Sequence, residues 1–76
     1  MLMANVSLDT LQPRAQSALR NSPVSELRAL RVDRREGALV ISGAVSSFYH
    51  KQLAQEVVRA ICKDSEVELV NTLEVR

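Results

Sequence analysis

Between Gly37 and Ser47 the chain reads Gly-Ala-Leu-Val-Ile-Ser-Gly-Ala-Val-Ser-Ser, and this run limits the fold more than any other. Successive strand side chains point to opposite faces, so Gly37, Leu39, Ile41, Gly43 and Val45 share one face. A glycine on a packed face lets a helix or another backbone approach closely. The serines that follow suit a helix start, where a side-chain oxygen accepts from a free amide of the first turn. The run therefore predicts a half-buried strand that feeds directly into a helix.

The flanking segments extend this pattern. Residues 1–9 are expected to fray, and 10–76 to form one domain. A first helix is predicted from about Thr10 to Asn21, capped by Asp9 or Thr10, with Pro13 in the first turn where its missing amide does least harm. Leu11, Ala15, Ala18 and Leu19 give it an apolar stripe, and Asn21-Ser22-Pro23 stops it. A first strand is predicted over Ser25–Asp33, with Leu30 and Val32 on one side and Ala29, Arg31 and Asp33 on the other. Arg34-Arg35-Glu36-Gly37 then reads as a hairpin turn with Gly37 in the left-handed conformation.

After the strand Ala38–Val45, Ser46 or Ser47 caps a second helix that runs to about Cys62. Ala54, Val57, Val58 and Ile61 form its apolar face, with Leu53 and Ala60 at the edges and Gln52, Gln55, Glu56 and Arg59 on the wet side. Lys63-Asp64-Ser65-Glu66 is a polar link to a last strand, Val67–Val75, with Leu69, Asn71, Leu73 and Val75 on one face. The predicted class is α+β: a two-layer αββαβ sandwich with two helices packed on one face of a three-stranded sheet. That face carries Leu30, Val32, Leu39, Ile41, Leu73 and Val75. A right-handed crossover makes the last strand parallel to the second. The pattern leaves open whether it lies beside the second strand or beyond the first.

With 76 residues, of which Phe48 and Tyr49 are the only aromatics, the core must be aliphatic. A domain of this size buries only about 60–65% of its unfolded surface. The net charge of +1 supplies no general attraction to nucleic acid or membrane. The charges are segregated, however: Arg14, Arg20, Arg28, Arg31, Arg34 and Arg35 crowd the first half, and Glu56, Asp64, Glu66, Glu68 and Glu74 the last third. Cys62 is the lone cysteine, so no internal disulfide forms, and the residue reads as a small apolar filler. The first residues lack the basic and apolar segments of a signal peptide, and no run approaches a membrane span. The expected location is the cytoplasm as written, or the periplasm only if an export signal was removed.

The order of elements and the glycines resemble the BON domain, a small bacterial module named for osmotic-shock and nodulation proteins. The matching residues are Val32, Gly37, Leu39, Ile41, Gly43, Val45, Ser47, Lys51, Ala54, Val57, Ile61, Asn71, Leu73 and Val75, within a stretch from about Ala15 to the C-terminus. Two features depart from the family pattern. Lys63-Asp64-Ser65-Glu66 replaces a tight Pro-Gly turn, and Phe48-Tyr49-His50 replaces charged residues at the start of the second helix. BON proteins are typically exported and often multi-domain. The resemblance implies a non-enzymatic binding module that meets phospholipid surfaces, envelope polymers or other proteins, with no catalytic residues and no cofactor.

The residues themselves offer three binding candidates. Tyr49, His50 and Lys51, with Phe48, stand at a helix N-terminus, where free amides attract anions and aromatic rings suit a membrane–water boundary. Against this, Phe48 is expected to staple the helix start onto the core and leave His50 solvated. Arg31, Arg34 and Arg35 form a basic approach to the hairpin that could hold phosphates, although Asp33 and Glu36 offset them. On the sheet face turned from the helices, with Ser42 and Thr72, Val40 and Val70 leave an apolar centre suited to a protein partner or a second copy. No metal-ligand spacing, nucleophile–base arrangement, phosphate loop or nucleic-acid platform is present. The expected function is docking on an anionic phospholipid or other envelope-related surface. The alternative is a cytoplasmic protein–protein or homodimerisation adaptor that uses the open sheet face.

Overall fold

The structure, a computed structural model, describes residues 8–76. Its hairpin is set by two residues with positive φ, Glu36 at 47° and Gly37 at 87°, a pair that matches the twist of the flanking strands. Strand β1 (Arg31–Arg35) therefore runs to the turn itself and pairs antiparallel with β2 (Ala38–Ser42), Val32 opposite Ile41 and Arg35 opposite Ala38. Arg34 and Arg35 belong to the strand, not to the turn as the sequence suggests.

The strand predicted over Ser25–Asp33 is also corrected. Ser25–Leu27 forms a 3-10 turn and β1 begins only at Arg31. Leu27 and Leu30 are both buried; side chains three apart eclipse in such a turn, so their spacing reflects a helical turn. Helix α1 covers Leu8–Arg20 and buries Leu11, Ala15 and Leu19. Leu8 and Asp9 are thus helical rather than frayed; the rest of the segment expected to fray, residues 1–7, lies outside the described residues. Pro13 sits inside this helix, beyond its first turn, and deprives the Asp9 carbonyl of its usual amide donor.

The last strand lies beside the second. It is broken into β4 (Glu68–Asn71) and β5 (Glu74–Val75), and the central strand continues past Gly43 as β3 (Ala44–Val45). The sheet order is β1-β2-β4, with β2 and β4 parallel, and β3 pairs with β5, also parallel. The two breaks face each other, and the ladder passes through them: the amides of Thr72, Glu74 and Arg76 donate to the carbonyls of Ile41, Gly43 and Val45 at 2.9, 3.0 and 2.8 Å. Gly43 has φ of 132°, and a Cβ there would lie 2.8 Å from Leu30 Cδ2. The close approach expected at this glycine is made by a leucine side chain.

Helix α2 spans Phe48–Cys62 and buries Ala54, Val58 and Cys62, with Leu53, Val57 and Ile61 packed partly against the core. Both helices lie on the sheet face that carries Val32, Leu39 and Ile41, each at most 1% exposed. This is the predicted two-layer α+β sandwich with an aliphatic core. The free edge of β1 is occupied by α1: Gln16 accepts from the Val32 amide and donates to the Leu30 carbonyl, both at 2.8 Å, and Gln12 donates to the Val32 carbonyl.

Candidate functional site

The start of α2 is fixed before it is decorated. Ser47 is its N-cap, and its hydroxyl oxygen accepts from the His50 amide at 3.1 Å, as the paired serines suggest. Phe48 and Tyr49 then occupy the first two helical positions. They lie six and five residues before buried Ala54, which at about 100° per residue turns them roughly 120° and 140° from it. Phe48 is 75% and Tyr49 70% exposed. The expected staple of Phe48 onto the core is therefore absent, and both rings stand in water.

His50 takes the inward position instead. Its side chain is partly buried, with Nδ1 3.0 Å from Ser47 Oγ and 3.4 Å from Glu26 Oε1, so it is not the solvated residue expected from sequence. Its ring meets that of Tyr49 edge-on, with centroids 5.4 Å apart. Glu26 completes the cluster by accepting from the Ser46 amide at 2.9 Å. Hydrogen bonding from the Ser46 hydroxyl, then from its amide, holds the Glu26 carboxyl below its ordinary range; nearby His50 adds to this and desolvation opposes it. The 3-10 turn is thereby clamped to the helix start. Nothing in the sequence marks Glu26 for this role, because Ser46 lies 20 residues away and His50 farther still, and no local pattern joins them.

Lys51 follows on the sheet side, and its carbonyl accepts from Asn71 Nδ2 at 3.1 Å. The same amide group donates to Gln55 Oε1 at 3.1 Å, and Asn71 Oδ1 accepts from the Leu73 amide at 3.1 Å. Asn71 thus spans the break between β4 and β5 and ties it to α2. Its place beside Leu69 on the helix-facing side was legible; its role as a bracket was not.

The arginines do not join this group as one surface. Arg31 lies opposite Ser42, near the start of α2, and pairs with Asp33 at 3.5 Å where both are exposed. Arg34 shares the helix-facing side with Val32 and forms an ion pair with Asp9 of α1. This pair crosses a depression of about 420 Å³ lined also by Leu8, Gln12 and Asp33. Arg35 is exposed beside the turn. Seven residue steps, roughly 23 Å at the usual rise, separate Ala38 from Val45 and so part Arg34 and Arg35 from Tyr49. The structure brings Tyr49, His50 and Lys51 together, puts Arg31 toward the same end but on the opposite face of the sheet, and leaves Arg34 and Arg35 at the other end.

Compared with known protein families and with curated proteins, the chain matches none.

On the open sheet face Val40 and Val70 are neighbours in register, both partly buried, beside Ser42. Thr72 is exposed, but its hydroxyl already donates to the Ile41 carbonyl at 2.7 Å. Among the described residues no three His, Cys, Asp or Glu side chains gather as a metal site, and no helix is long and apolar enough to cross a membrane. Cys62 is buried at the end of α2, and burial raises its thiol pKa, partly opposed by Arg14. Chemically, the start of α2 is a pair of exposed rings on a capped helix end, with Lys51 following in the same turn.

Proposed function

We propose that this chain is a non-catalytic, BON-like interaction module that docks on an anionic phospholipid surface through Phe48 and Tyr49. The observation that carries this reading is their exposure, 75% and 70%, side by side at the start of a capped helix. Rings held in water gain by entering a membrane–water boundary, where the phenol hydroxyl of Tyr49 stays wet while its ring is covered. Lys51, Arg31 and Arg76, whose amide is bonded to Val45, lie at the same end and supply attraction to anionic headgroups. The docking is weak and falls with added salt, because these cations are screened over about 8 Å at physiological ionic strength.

Vesicle flotation tests it. The chain should float with anionic vesicles, less so at physiological than at low salt, and poorly with zwitterionic ones. Phe48→Ser with Tyr49→Ser should abolish flotation, whereas Arg34→Glu with Arg35→Glu, at the far end of the sheet, should leave most of it. Failure to float with anionic vesicles at low salt overturns the reading.

A further inference from the structure

The two sheet edges are treated differently, and the difference points to a partner. In β1 the outward backbone groups of Leu30 and Val32 are taken by Gln12 and Gln16. In β4 the amides of the even positions turn toward β2, as the Thr72 bond to Ile41 shows, so by alternation the amides and carbonyls of Leu69 and Asn71 point outward. Among the described residues no strand lies beyond β4. Unpaired edge groups of this kind are a ready template for another strand.

We propose that β4 pairs with β4 of a second copy of this chain, antiparallel about a two-fold axis at Val70, to make one six-stranded sheet. Leu69 would exchange backbone hydrogen bonds with Asn71 of the second copy. Val70 would face its own counterpart and Glu68 would face Thr72, so no like charges oppose each other within the paired segment 68–72. Val40 lies beside Val70, and the pairing extends this into a row of four valines across the open face. A foreign extended segment would gain only the short edge of β4; a second copy brings matching backbone groups and the matching valines together. Because α1 already takes the β1 edge at Leu30 and Val32, the β4 edge is the one left for pairing along its length, and association closes at two rather than running on into a fibre.

Amide hydrogen exchange on the wild-type chain, read residue by residue across a concentration series alongside its mass in solution, tests the proposal. The mass should rise from the 8.4 kDa monomer to twice that, with protection of the Leu69 and Asn71 amides rising in step. The Val32 amide, held by Gln16, should be protected throughout. Val70→Lys sets two ammonium groups against each other and should weaken the dimer at least about tenfold, while Val40→Lys should change it little. A chain that stays monomeric to roughly 1 mM, with or without an added extended peptide, overturns the proposal. So does a dimer in which the Leu69 and Asn71 amides still exchange freely, since its contact would lie elsewhere.

Discussion

The Val32 amide donates to Gln16 Oε1 at 2.8 Å, while Gln16 Nε2 donates to the Leu30 carbonyl at the same distance. One side-chain amide thus presents to β1 the donor and acceptor that a neighbouring strand would. Gln16→Ala leaves both backbone groups without these partners at a part-buried edge, which should cost about 1–2 kcal/mol. In a domain of this size the melting temperature should fall by roughly 5–15 °C, measurable by thermal denaturation. The variant should also aggregate at concentrations where the wild type does not, because its second edge is bared.

The two glycines should respond unequally to alanine. Both have positive φ, 87° at Gly37 and 132° at Gly43. A Cβ at Gly37 would meet nothing within 4 Å, whereas one at Gly43 would lie 2.8 Å from the end of Leu30. Gly37→Ala should cost about 1–2 kcal/mol, from backbone strain alone. Gly43→Ala adds displacement of a core leucine to comparable strain and should be the more damaging of the two. Urea unfolding of both variants checks the order.

Glu26 links stability to pH. Its folded-state pKa is lowered by the bonds from Ser46, with His50 contributing, so the unfolded state binds the proton more readily. The stabilisation is therefore complete above the unfolded-state value of about 4.3 and is lost as pH falls through the lower folded-state value. Melting temperatures of wild type and Glu26→Gln should differ most near neutrality and converge in acid. A gap that stays constant from neutrality to strong acid would contradict this linkage.

Phe48 and Tyr49 should be dispensable for folding. At their observed exposure, Phe48→Ser with Tyr49→Ser should shift stability by no more than about 0.5 kcal/mol per position. Ser47→Ala, by contrast, removes the cap that holds them and should cost about 1 kcal/mol. Denaturant midpoints separate the two effects, so loss of vesicle binding in the double variant cannot be ascribed to unfolding.

The layers, both helices and the parallel crossover were legible because each rests on a repeating pattern: Leu39, Ile41 and Val45 at every second residue, Ala54 and Val58 a helical turn apart. The 3-10 turn was hidden because Leu27, Leu30 and Val32 mix a spacing of three with one of two. Arg34 shows how a turn can be misplaced by two residues: its parity with Val32 already put it on the helix side, where Asp9 awaits it. A ring just after the cap suits a staple onto the core, but the angle of Phe48 from Ala54 around the helix, about 120°, turns it to solvent. Gln12, Gln16, Glu26 and Asn71 act through hydrogen-bond partners 14 to 20 residues distant, and polar spacing alone does not reveal such pairs.

Cys62, 6% exposed at the end of α2, turns the molecule into its own clock. An alkylating reagent reaches the thiol most readily when that end of the helix lifts, so the rate of modification follows excursions from the closed fold. Every 1.4 kcal/mol of local opening free energy slows the reaction about tenfold relative to a free thiol. Because the chain contains one cysteine, the record comes from a single place and needs no introduced label.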